Sequence, residues 1–271
     1  VYGRMTGWGQ DGPWAQVAGH DITYIALSGA LNAVGRRDSP PVPPLNFVGD
    51  YAGGTMFLLF GILAALVERQ RSGLGQVVDA AMVDGVAALM SVFHMFHHRD
   101  EWSAEREANL LDGGAPFYRC YETADGKAMA VGPIEPQFHA EFLEKLGLPA
   151  ESPEDQNDKA RWSGQAAAIA AAFRTKTRDE WAVVFDRSDA CVAPVLTIAE
   201  SESHPHLAAR GTLFRGDGGV LQASPAPRFD RTPAPAVRPP QGAGANGPSI
   251  LEEAGYGPEE IAALRASGAL R

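Results

Sequence analysis

Apolar and polar residues alternate with several different periods along this chain, and the changes of period divide it into elements. Residues 21–35, DITYIALSGALNAVG, carry apolar positions at helical spacing with Gly35 as a stop. Four prolines within 36–50, RRDSPPVPPLNFVGD, impose extended backbone. The run 51–73 predicts the strongest helix. It follows Asp50 in an N-cap-like position and closes at Gly73, with Arg69 and Arg71 in its last turn. Its apolar stretch 56–67, MFLLFGILAALV, is shorter than the ~20 residues of a bilayer span, so a buried core helix is expected. Within 75–98, QVVDA reads as a short strand that leads into an apolar helix. A strand so close behind a helix predicts an α/β layer with a buried parallel strand. The opening VYGRMTGWG reads as mid-strand or loop, as expected of a fragment or a processed chain.

Residues 99–116 are polar and end in Gly and Pro, so a linker is expected there, after a first domain at 1–98. A hairpin follows at 117–134, turning at the Asp-Gly pair 125–126. Next comes a helix over 135–148, with Glu135 and Pro136 at its first turn. Two further helices, in ARWSGQAAAIAAAFRTK and TRDEWAVVFDRSD, and a strand running into a helix at 190–200 complete a smaller α+β domain over 117–203. Residues 204–241, proline-rich from 224, read as an extended, semi-rigid linker. Residues 242–271 predict two terminal helices broken at Gly255–Pro258, returning to the first domain.

Composition narrows the function classes. With 45% hydrophobic and 21% charged residues the chain is of ordinary globular type. Its net charge of −10 argues against a nucleic-acid binder, which needs a basic face. Cys120 and Cys191 lack metal-type spacing and are expected as reduced, buried thiols. No signal-like segment is visible, so the expected location is cytoplasmic and no membrane partner is expected.

Three ionisable residues stand out. His20 sits beside Asp21 in AGHDITY, where it is either a packed histidine or an acid–base group titrating near 6.5. Asp50 is either a plain helix cap, worth about 1 kcal/mol, or part of a GDYAGG cradle. In the second reading the free amides near Gly53 and Gly54 face an enolate or thioester oxygen. Glu135 suits a helix N-terminus on electrostatic grounds alone. His94 and His98 share a helix face in HMFHH, but no HExxH pattern or nearby Cys accompanies them, so a packed helix end and no metal site is expected. No GxSxG elbow or Walker loop is present.

GRMTGWGQDGP, AGHDITYIALSGAL, PPVPPLNFVGDYAGGTMFLLFGILAALVER, GQVVDAAMVDG and LDGGAPFYRCYETADGKAMAVGPIEPQF together resemble the family III CoA-transferase superfamily, and within it most the α-methylacyl-CoA racemases. The resemblance runs from residue 1 to about 230. It implies a Rossmann-like large domain, here lacking its N-terminal part, plus the smaller α+β domain. It also implies His20, Asp50 and Glu135 as catalytic residues, matching the motifs GHDITY, VGD and IEPQF. The backbone of Gly19, Asp21, Ile22, Thr23 and Tyr24 would lie along the CoA thioester, with Gly53 and Gly54 as further contacts. The implied reaction is epimerisation at C2 of a 2-methylacyl-CoA by 1,1-proton transfer, with no cofactor apart from the CoA of the substrate. The implied assembly is an interlocked homodimer whose active sites combine residues of both chains. Two alternatives stay open: a CoA-transferase using Asp50 as nucleophile, and a truncated, non-catalytic fragment.

Overall fold

Strands β1 (Tyr2–Thr6) and β2 (Val77–Ala81) pair in parallel, from Tyr2 opposite Val77 to Thr6 opposite Ala81. A parallel pair needs a long crossover. It is supplied by α1 (Asp21–Leu27), a π-helix over Phe47–Met56, and α2 (Phe57–Ser72), which continues the π-helix without a break. Beyond β2 follow α3 (Met82–Leu89) and α4 (Ser91–His98). This is a computed structural model, and it describes residues 1–235, 237 and 241–270.

Several expectations change here. The helix from residue 21 stops at Leu27, not Gly35, because Ser28 turns its hydroxyl back to the Ile25 carbonyl and Gly29 takes φ +84. The long helix starts at Phe47, so Asp50 is the fourth residue of a π-helix and not an N-cap, and Gly53 and Gly54 lie inside it. Its end is as expected: Gly73 is left-handed at φ +76, behind Arg69 and Arg71.

Parallel strands are buried when helices cover both faces of the sheet. Here β1 is almost wholly exposed, contrary to the expected buried layer. Its cover is α2, whose Leu58 and Ile62 pack over Gly3, where a Cβ would come within 2.8 Å of Leu58. Nor is α2 a buried helix: Ala65 alone is buried, and Phe60 is 72% exposed. The continuous helical segment Phe47–Ser72 has 26 residues, longer than its apolar run suggests. By length and composition it could cross a membrane.

Residues 117–195 add β3 (Arg119–Glu122), β4 (Ala128–Val131), α5 (Pro136–Leu146), α6 (Pro153–Asn157), α7 (Trp162–Phe173), α8 (Arg178–Phe185) and β5 (Val192–Pro194). The antiparallel sheet β3–β4–β5 turns at Asp125-Gly126 as expected, with Gly126 at φ +74. One face of the sheet carries the main core: Tyr121 and Met129 meet Phe142 of α5, Phe173 of α7, and Trp181 and Phe185 of α8. The Trp181 ring meets Phe173 edge-on at 5.3 Å, and its indole N–H donates to the Phe173 carbonyl at 2.8 Å. The opposite face leaves Cys120 exposed, and Cys191, just ahead of β5, is exposed too. Both thiols are free, not buried as expected.

The stretch 99–116 has no helix or strand, yet it is anchored. Asn109 is buried and its side chain bonds Ser103 and Asp112. Arg106 donates to the Ser39 carbonyl at 2.6 Å and Glu107 pairs with Arg36, so this loop grips the proline-rich 36–44 segment.

The chain divides into two compact units, Val1–Val195 and Leu196–Arg271. The second holds α9 (Ile198–Ser203), α10 (Pro205–Arg210), the hairpin β6 (Leu213–Arg215) with β7 (Leu221–Ala223), α11 (Gly247–Glu253) and α12 (Pro258–Ala266). The expected extended linker is therefore folded up to residue 223: Pro205 sits in the first turn of α10, and Gly218 and Gly219 make the hairpin turn. Of the proline-rich remainder, residues 236 and 238–240 lie outside the described residues. The break between the two terminal helices falls where expected.

Candidate active site

The sequence GHDITY folds into the first turn of α1. His20 holds extended backbone just before the helix, at φ −138 and ψ 169. Thr23 closes the turn from within: its hydroxyl donates to the His20 carbonyl at 2.7 Å and accepts the His20 amide at 3.1 Å. With the turn closed by Thr23, the His20 imidazole does not cap the helix and is exposed.

Asp21 points the other way and is 5% exposed. Its Oδ2 accepts the amides of Gly49 at 2.6 Å and Asp50 at 2.8 Å. In a helix with i→i+5 bonds the first amides have no partner within the helix, and Asp21 satisfies two of them. Asp50 itself is half-buried: its Oδ2 accepts the Asn46 side-chain amide at 3.0 Å and its carbonyl accepts the Thr55 hydroxyl at 2.9 Å. His20 and Asp50 thus stand on two backbone segments that the Asp21 carboxylate ties together.

Tyr24 is 6% exposed, with its ring 4.7 Å edge-on from Trp8. Burial, and after it the negative charge of Asp50, pushes its phenol above the ordinary tyrosine range. A Cβ on Gly19 would lie 2.6 Å from the Tyr24 ring, so Gly19 is the space that ring needs. The side chains of Asp21 and Tyr24 are therefore engaged inside the protein and the Thr23 hydroxyl is used by its own turn, so a ligand contact at these residues would be made by their backbone. Ile22 is 45% exposed. Gly53 and Gly54 are buried against α3, where a Cβ on Gly53 would meet Val86 at 2.8 Å and one on Gly54 would meet Met82 at 3.0 Å. An open helix start at these two residues is thus corrected: they serve helix packing.

Glu135 is the exposed N-cap residue of α5, with Pro136 at the first helical position. Its neighbour is Cys191, whose thiol is pushed up by burial and then by the charges of Glu135, Asp189 and Glu141. Cys191 lines a cleft of about 660 Å³ floored by Cys120, Ala130 and Gly132 and walled by Val42 and Tyr118. Among the described residues no hydrogen bond joins Glu135 to His20 or Asp50. One chain therefore ties the backbone segments of two of the three expected catalytic residues and joins the third to neither by a hydrogen bond.

Residues 1–245 match the family described as CoA-transferase family III. The chain belongs to this family. It is 44% identical to the mouse protein named "Alpha-methylacyl-CoA racemase" over 97% of its length, covering 70% of that relative. It is 43% identical to the human protein of the same name over 96%, covering 69%. The fold agrees with the crystal structure of a CAIB/BAIF family protein from Brucella suis, at TM-score 0.74 and 22% identity, over 93% of this chain and 67% of that one.

Two contacts of the expected site residues were not read from the sequence. Asn46 lies four residues before Asp50, a helical spacing that places both on one face, but the prolines just before it suggested extended chain. The Cys191–Glu135 proximity joins positions far apart in sequence and carries no local signal.

Proposed function

We propose that this protein epimerises 2-methylacyl-CoA thioesters at C2, with His20 and Asp50 as the two proton-transfer groups. The observation that carries the reading is the Asp21 tie, which sets an exposed imidazole and a half-buried carboxylate on adjacent backbone. The likeness to two proteins named as racemases supports it over the transferase alternative.

In one direction neutral His20 takes the α-proton. The C–H bond breaks, its electron pair enters the enolate, and the thioester oxygen becomes negative. Protonated Asp50 then returns a proton to the opposite face of C2, leaving imidazolium and carboxylate ready for the reverse direction. Each placed base contributes about 10²–10⁴-fold. CoA enters as part of the substrate, with no further cofactor.

Glu135 enters this scheme from a second copy of the chain. We read the protein as a homodimer in which Glu135 of one copy orients His20 of the other. The apolar side of α2 is a surface for that second copy; Glu68, Arg69 and Arg71 near its end favour water over a bilayer. The β1–β2 pair is read as part of a Rossmann-like sheet, with the domain of residues 117–195 beside it.

The test is α-proton exchange of (S)-2-methylacyl-CoA in D₂O followed by NMR. Inversion by the wild type, read alongside by chiral analysis and lost by about 10²-fold or more in both His20→Ala and Asp50→Ala, is the expected result, with exchange lost in His20→Ala and retained in Asp50→Ala. Undiminished inversion in both variants would overturn the assignment.

A further inference from the structure

We propose that Asp21 is the positioning residue that sets the separation of the two proton-transfer groups, a role resting on the epimerisation reading above. Its chain neighbour is His20. Its carboxylate oxygen holds the amide of Asp50 itself and that of Gly49. One residue thereby spans from one base to the other through a single peptide unit and two short hydrogen bonds.

The site is built for this contact. Gly49 is buried, and a Cβ there would lie 2.6 Å from Asp21 Oδ2, so only glycine lets the carboxylate approach both amides. Asp21 is itself nearly inaccessible, and its second oxygen, Oδ1, is buried without a hydrogen-bond partner. A residue serving only to cap the helix could do so from a solvated edge, as Ser152 does for α6. Burying a carboxylate with one oxygen unmet is unfavourable. What the placement adds is a fixed distance: displacing reacting groups by about 1 Å lowers rate about 10²-fold.

Two-base chemistry supplies a readout that mere destabilisation does not move. If Asp50 is displaced relative to His20, His20 still removes the α-proton and returns deuterium to the same face. Exchange then persists while inversion fails.

The full-length protein and its Asp21→Ala, Asp21→Asn and Gly49→Ala variants would be incubated with (S)-2-methylacyl-CoA in D₂O. NMR would give the exchange rate and chiral analysis the inversion rate. For Asp21→Ala the expected result is an exchange-to-inversion ratio raised about tenfold or more, with KM changed less than about threefold. Asparagine keeps one oxygen for both amides, so Asp21→Asn is expected to recover most of the lost inversion. Should Asp21→Ala fail to fold, Gly49→Ala, which pushes the carboxylate away, is expected to raise the ratio in the same direction. Exchange and inversion falling in equal proportion in the folded variants would overturn the positioning role alone. No exchange in the wild type would overturn the epimerisation reading, and this role with it.

Discussion

His139 shows how a buried ionisable group outside the site shapes stability. It lies in α5, 3% exposed, with Nε2 3.2 Å from Glu151 and its ring edge-on to Phe117. Burial pulls its pKa below the ordinary 6.5, and the Glu151 contact only partly opposes this. Between the folded value and 6.5 the unfolded chain binds more protons, so stability falls as pH drops below about 6.5 and levels off beneath the folded value. His139→Phe removes this group and leaves Glu151 its Gln165 partner. Thermal melts between pH 7 and pH 5 are expected to show a smaller loss of midpoint in the variant than in the wild type. Among the proposed site residues, His20 and Asp50 were singled out because their motifs are short and contiguous. The tie from Asp21 to Gly49 and Asp50 was not legible, since these partners lie a proline-rich segment away and nothing local announces them.

Packing between elements explains what periodicity left unread. Apolar spacing located α2, α3, the hairpin and α5, because each buries a face or ends on a turn residue. It did not locate the π-helix: i→i+5 and i→i+4 bonding share nearly the same apolar pattern, and the choice is made by contacts with α1 and α3. Gly53 and Gly85 let the π-helix and α3 meet backbone to backbone, where a Cβ on Gly85 would sit 2.6 Å from the Gly53 carbonyl carbon. Neither side can yield as a flexible side chain would. Gly85→Ala is therefore expected to cost about 1–3 kcal/mol or more, read as a lower denaturation midpoint. The same shift moves the segment that carries Asp50, so inversion should fall in the protein that remains folded.

For the protein as a whole, the proposed sharing of a site between two copies is testable. His20→Ala and Glu135→Ala chains, each inactive alone, would be co-expressed. If the site combines residues of two copies, a mixed dimer carries one intact site and one doubly defective site. Random pairing then restores roughly a quarter of the wild-type rate. If each chain builds its own site, mixing restores nothing. The α2 face supplies a second handle: Phe60→Glu with Leu63→Glu, at positions 72% and 63% exposed, is expected to shift sedimentation from dimer toward monomer and abolish inversion together with it. The exposure of α2 was not open to sequence reading, since an apolar helix looks alike whether or not its own chain covers it.

The wide turn ahead of α2 has one more implication. A π-helix winds more residues into each turn than an α-helix. Deleting a single residue between Tyr51 and Met56 would let one turn tighten to α-helical winding while α2 continues undisturbed. Every side chain upstream would then keep nearly its angular position, because the turn still closes with one residue fewer, and Asp50 would stay on the face turned to α1. The segment thus acts as a length buffer: its wide winding can give up a residue while the carboxylate keeps its direction.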